Sequence, residues 1–91
     1  MPRKEVYGMA DRDTTRYELR DGNRVVYVGI TNDPERRAQE HAADKDFTRM
    51  VTVGPKVTRT TAERWEEERI DTYKQNHKGE RPKYNQNDTG K

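Results

Sequence analysis

The order of local signals predicts a small α+β domain: a β-hairpin, a helix, a third strand and a second helix. Three observations carry this. Arg16-Tyr17-Glu18-Leu19-Arg20 alternates polar and apolar residues, and after the turn residues Asp21-Gly22-Asn23 the chain continues as the β-branched run Val25-Val26-Tyr27-Val28-Gly29-Ile30. Asn32-Asp33-Pro34 opens a helix, with Asp33 suited to the N-cap and Pro34 to the first helical position, where a missing N–H costs nothing. Ala62, Trp65, Ile70 and Tyr73 mark one apolar stripe of a second helix.

Each element can be justified in turn. Residues 1–12 are polar and mixed in charge and read as an arm or irregular lead-in, which leaves 13–91 as the single domain. The second hairpin strand is apolar on both faces, so it is expected to be the central strand, covered above and below. The first helix is expected from Pro34 to about Ala43, with Arg37 and His41 one turn apart on a shared face. Phe47 to Val53 reads as the third strand, ended by Gly54-Pro55. Thr60-Thr61-Ala62-Glu63 reads as a capping box that opens the second helix, roughly Thr61 to Gln75. Asn76 to Lys83 is a basic loop containing glycine and proline, and Tyr84-Asn85-Gln86-Asn87 follows it.

Composition bounds what such a domain can do. Ninety-one residues hold one packed core. Only 27% of them are hydrophobic, 40% are charged and leucine occurs once, so the core must be small and rich in aromatics. A large apolar pocket or a doubly wound sheet is excluded. Nineteen basic and 17 acidic residues nearly cancel to +2, whereas disordered chains combine low hydrophobicity with high net charge. No apolar run suits a membrane span or a secretory signal, so no membrane partner and a cytoplasmic location are expected. The sequence has no cysteine, and its two histidines, His41 and His77, are too few for a histidine-built zinc centre. Any metal would sit on carboxylates and water, which favours Mg²⁺ or Mn²⁺. Twelve of the 19 cations are arginine, the better bidentate phosphate ligand, and this leans toward a nucleic-acid partner.

Several residues look chemical. Glu66 lies four residues after Ala62 and four before Ile70, on the buried stripe, whereas Glu63, Glu67 and Glu68 can reach solvent. A carboxylate there is costly unless it is paired or coordinates a metal, and the residues alone leave both readings open: an ion pair with an arginine, or a metal ligand. Arg37 and His41, taken singly, read as ordinary surface side chains. Tyr17 and Tyr27, on neighbouring strands, pack as strand tyrosines do. A phenol can nevertheless act as a general base when a cation stabilises its anion. Gly29, two residues beyond Tyr27, lets a backbone or phosphate come close. Lys74, Lys78, Arg81 and Lys83 gather against Glu80 alone, as a solvated loop or as a track for a phosphate backbone. His77 reads as plain surface.

Taken together and in order, these residues resemble the GIY-YIG nuclease domain. Tyr27-Val28-Gly29 resembles the second signature triplet, and Thr15-Arg16-Tyr17 stands in the place of the first, with only the tyrosine retained. The ten-residue step from Tyr17 to Tyr27 and the eight-residue step from Gly29 to Arg37 match the family pattern, and His41 follows. Ala62, Glu66 and Ile70 resemble its Ala-x-x-x-Glu-x-x-x-Ile helix, and Pro82-Lys83-Tyr84-Asn85 its terminal Pro-x-x-Asn, with Asn87 as the alternative asparagine. The resemblance covers about Thr15 to Asn87.

The resemblance implies a three-stranded antiparallel sheet flanked by helices, and an endonuclease that uses one divalent ion to cut nucleic-acid phosphodiesters, DNA in the first place. It implies Glu66 as metal ligand, Tyr17 as the group that activates or orients the attacking water, and Tyr27 as its support. Arg37 would hold the scissile phosphate, His41 would take a catalytic position, and Asn85 would position backbone or phosphate. Gly29, Arg36 and Lys83 would contact the strand. No recognition module such as a helix-turn-helix is evident, so sequence specificity should be low. The alternative is a non-catalytic module that grips nucleic acid or protein on the same fold.

Overall fold

The structure, a computed structural model, describes residues 12–85. The elements run β1 (Thr14–Asp21), β2 (Arg24–Thr31), α1 (Pro34–Asp44), β3 (Arg49–Val57) and α2 (Arg59–Asn76). Three antiparallel strands form an open sheet with two helices, an α+β fold in the order the sequence predicts. A two-residue loop joins β1 to β2, and its first residue, Gly22, takes φ +65°, which a residue without Cβ adopts at no steric cost. Arg12 and Asp13, at the junction with the expected lead-in, are exposed, and residues 1–11 lie outside the described part. No helix among the described residues is long and apolar enough to cross a membrane.

The strand order is β2-β1-β3, so β1 and not β2 is central. Burial of both faces of β2 suggested otherwise, and every residue from Val25 to Thr31 is indeed buried. Burial of faces, however, says nothing about the in-plane edge. The outer edge of β2 is closed by the end of the described chain. The Tyr84 N–H donates to the Val26 carbonyl at 2.8 Å, and the Asn85 side chain pairs with both backbone groups of Val28, at 2.9 and 3.0 Å. This tail satisfies polar groups that an edge strand would otherwise leave bare.

The sheet packs on both faces. Tyr17, Leu19, Val26 and Tyr27 form one cluster, joined by half-buried Phe47, Met50 and Tyr84. On this side α1 buries His41. Val25, Val28, Ile70 and Tyr73 form the second cluster, with Trp65 packed against it from α2. The cross-strand pairs set the site: Tyr17 lies opposite Gly29, and Leu19 opposite Tyr27, so both tyrosines stand on one face.

Three boundaries differ from expectation. β3 begins at Arg49 and runs through Gly54-Pro55 to Val57. As an edge strand it can leave a proline without its N–H, and Gly54 at φ +65° coincides with the register shift between Thr14 and Arg16 opposite. Phe47 accordingly precedes the strand. α1 continues to Asp44, one residue further, with Asp33 capping the Arg36 N–H as expected. α2 starts at Arg59 because Thr58, not Thr60, is the cap: its hydroxyl accepts from the Thr61 N–H at 3.2 Å.

Candidate active site

The centre of the site is a contact between two buried groups. The Tyr17 hydroxyl lies 2.7 Å from His41 Nε2. Tyr17 is brought there by β1 and His41 by α1, across the sheet face they share. Tyr27 completes the group, with its ring centroid 4.8 Å from His41 and 6.1 Å from Tyr17.

Gly29 makes this packing possible. A Cβ there would meet the Tyr17 hydroxyl oxygen at 2.6 Å, Tyr17 Cζ at 2.7 Å and Tyr27 Cε2 at 2.7 Å. The room the sequence suggested for a phosphate or backbone is thus taken by the two rings.

Electrostatics bind the group to two charges of opposite sign. Burial, and then Tyr27, push the Tyr17 pKa far above that of an ordinary phenol, with Glu66 adding to the rise and Arg37 opposing it. Burial likewise raises the Tyr27 pKa, again against Arg37. The imidazole of His41 is pushed down to about 4, by burial first and then by the positive charges of Lys45 and Arg37. At neutral pH the cluster therefore holds two protonated phenols and an uncharged imidazole. Arg37 reaches it from α1. Among the described residues its Nε is buried without a hydrogen bond, and it makes a loose 3.8 Å contact with Glu40. Glu66 reaches it from α2 with no solvent exposure.

The remaining expected residues fall elsewhere. Asn85 is buried and turned to the β2 backbone, where it pairs with Val28, one residue from both Tyr27 and Gly29. Asn87 lies outside the described residues. Arg36 is exposed, in a 3.7 Å contact with Glu40, and Lys83 is exposed with Nζ 5.1 Å from the Tyr84 ring centroid.

Two neighbours were missed by sequence reasoning. Lys45 sits with Nζ 5.3 Å from the Tyr27 ring centroid and 5.9 Å from that of Tyr84. It follows His41 by four residues, the same step that linked Arg37 to His41, so the signal was present. Tyr84 accepts a hydrogen bond from the Asp46 N–H at 3.0 Å and ties the tail to the loop after α1. No local pattern marked that contact.

The model of the GIY-YIG catalytic domain matches residues 15–85. The chain belongs to the GIY-YIG family. No curated protein and no solved structure gives a significant match. The matched span starts two residues before Tyr17 and ends at Asn85, so it includes all the site residues described above and gives the chain a nuclease-type fold.

The donor set can be tested against the divalent ion that GIY-YIG nucleases generally use. Among the described residues no three His, Cys, Asp or Glu side chains gather as a ready-made cage. One carboxylate, Glu66, lies where its charge is felt by two phenolic oxygens. Such hard oxygen donors suit Mg²⁺ or Mn²⁺, and Mg²⁺ in particular keeps several waters and takes one or two carboxylates plus substrate phosphate oxygens. The residues present fit the ion.

Proposed function

We propose that this chain is an endonuclease that hydrolyses nucleic-acid phosphodiesters, with DNA as substrate and one divalent ion, Mg²⁺ or Mn²⁺, as cofactor. On this reading 13–91 is one nuclease domain. The observation that carries the proposal is the 2.7 Å contact between the Tyr17 hydroxyl and His41 Nε2, with the charges of Arg37 and Glu66 both reaching the phenols.

The chemistry follows from the protonation states. A phenol with a raised pKa cannot stand ready as an anion at neutral pH; it can take a proton only while releasing its own. Uncharged His41 is the acceptor for that proton, in the tautomer that keeps its hydrogen on Nδ1 and turns the Nε2 lone pair to Tyr17. Tyr17 thus removes a proton from the attacking water as its own moves to His41, while the P–O bond to the departing strand breaks and the leaving oxygen takes a proton from solvent. Tyr27, its ring packed beside that of Tyr17, supports the position of the hydroxyl. Arg37 holds the scissile phosphate and balances the negative charge it gains. Glu66 would hold the divalent ion, which when bound supplies Lewis-acid polarisation at the phosphate. Asn85 acts through the backbone of β2 as a positioning residue. Arg36 and Lys83, both exposed cations, would meet the flanking strand. One site serves one phosphate, so the expected product is a nick, with low sequence preference.

The test is plasmid nicking with Mg²⁺ or Mn²⁺, comparing the wild type, Glu66→Ala and an EDTA control. Relaxed circles that disappear with both Glu66→Ala and EDTA support the assignment. Cutting that survives Glu66→Ala moves the metal to another ligand. A folded protein that shifts DNA in a gel but never nicks it, whatever the ion, replaces the enzyme with a binding module.

A further inference from the structure

Tyr17 and Leu19 face the cluster that holds Tyr27, and Glu18, between them, faces the other side of the sheet, opposite Val28 of the α2 cluster. The carboxylate of Glu18 is buried there. Arg69 reaches it from α2, with Nε donating to Oε2 at 2.6 Å. The second oxygen, Oε1, accepts from Arg20 Nε at 3.2 Å and from Arg20 Nη2 at 2.7 Å. Both oxygens are thus engaged, and the carboxylate cannot turn without breaking a charge-assisted bond.

Each end of the Glu18–Arg69 bond lies beside a residue of the site. Glu18 follows Tyr17 directly on β1, and Arg69 follows Glu66 by three residues on α2, roughly 4.5 Å along the helix axis. Ile70 and Tyr73 pack α2 on Val25 and Val28. Apolar contact of that kind is non-directional, so it holds the helix to the sheet while tolerating small slides. The bond to Glu18 is directional and does not. Buried ion pairs add little net stability, and their best-attested use is to fix one register of packing. A slide of α2 by about 1 Å would carry Glu66 with it, a displacement that can cost on the order of 100-fold in rate.

We infer that Glu18 and Arg69 are positioning residues for cleavage: their ion pair sets where α2 lies on the sheet, and so where Glu66 stands relative to Tyr17. The inference rests on the nuclease reading above, with Glu66 as ligand of the divalent ion. Neither Glu18 nor Arg69 touches the reacting atoms in this role, and Arg20 steadies the carboxylate from within β1.

Two readouts test it, each taken well below the Tm of the variant. Broadening of the Glu66 and Tyr17 amide NMR signals by Mn²⁺ reads ion binding without DNA. Plasmid nicking across a DNA series at saturating Mn²⁺ separates kcat from KM. Arg69→Met keeps an unbranched stem and gives up the bond to Glu18. It is expected to need about 10-fold more Mn²⁺ for the same broadening and to lower kcat about 10-fold, with KM for DNA within about twofold. Arg69→Lys, which keeps a cation able to reach Glu18, is expected to return to within about threefold of the wild type. Glu18→Gln, nearly isosteric, should follow Arg69→Met and takes its place where that variant does not fold. Arg64→Met, the same change at an exposed position of α2, is the control and should leave broadening and kcat unchanged. A folded Arg69→Met or Glu18→Gln protein with wild-type broadening and kcat, while the wild type nicks, overturns this inference alone and leaves the pair a purely structural role. A loss confined to KM also overturns it, because it places Arg69 on the strand instead. A wild type that nicks while its Glu66 signal never broadens overturns the assignment of the ligand and this inference with it. One that neither broadens nor nicks overturns the nuclease reading as well.

Discussion

Replacing Gly29 by alanine puts a single methyl group where the rings of Tyr17 and Tyr27 pass. The new carbon would lie 2.6 Å from the Tyr17 hydroxyl oxygen and 2.7 Å from a carbon of each ring. Ordinary contact begins near 3.4 Å, so the rings must retreat by about 0.8 Å. Tyr17 is 1% exposed and pinned between Tyr27 and His41, so it has no free space to enter. Overpacking of a tight core costs about 1–3 kcal/mol, which for a domain of this size lowers Tm by roughly 4–8 °C per kcal/mol. The same retreat would stretch the 2.7 Å Tyr17–His41 contact toward the limit of a hydrogen bond. Displacements near 1 Å at a reacting group can cost on the order of 100-fold in rate. Thermal unfolding of Gly29→Ala, together with plasmid nicking well below its Tm, reads both effects. A variant with wild-type Tm and with nicking within about twofold of wild type would refute the packing argument.

Other outcomes follow from the same geometry. The His41 ring should titrate near pH 4 by NMR. Its folded pKa lies below the ordinary 6.5, so between pH 6.5 and 4 the unfolded chain takes up a proton that the folded one refuses. Stability should then fall as pH drops through that window, by about 3 kcal/mol when complete, and His41→Gln should flatten the slope in urea melts. Asn85→Ala strips the Val28 N–H and C=O of their partners, so urea unfolding should show a loss of about 3 kcal/mol, with faster hydrogen exchange at the Val28 amide. Arg37→Ala should slow nicking by about 100- to 1,000-fold, read by the plasmid assay on the folded variant.

Much of this was legible in the sequence where the signal was local. Gly22 fixed the turn, Asp33-Pro34 fixed the start of α1, and the spacing of Ala62, Glu66 and Ile70 placed a carboxylate on a buried stripe, where the structure finds it at 0% exposure. The i,i+4 step from Arg37 to His41 likewise put both side chains of α1 on the site side. What failed depended on partners far along the chain. The centrality of β1 depends on β3 pairing with it and on the tail closing β2, and neither leaves a mark inside β2 itself. Gly54-Pro55 looked like a stop, because a proline ends a strand that is paired on both sides but not one that is paired on only one side. Thr58 and Thr60 both offer a hydroxyl to the first turn, and no rule of composition chooses between them.

The pairing of Asn85 with Val28 joins residues 57 positions apart. Contacts of that span close a large loop, at roughly 3–4 kcal/mol of chain entropy, and so form after the hairpin and α1, whose contacts are short-range. Until the tail docks, the chain already carries Tyr17, Tyr27, Arg37, His41 and Glu66, yet the strand that holds Tyr27 and Gly29 is paired along one side only. Its open edge is then available to any other strand in the same condition. Protection from self-association and alignment of the phenols therefore arrive in the same late folding event, when the last described residue closes the sheet.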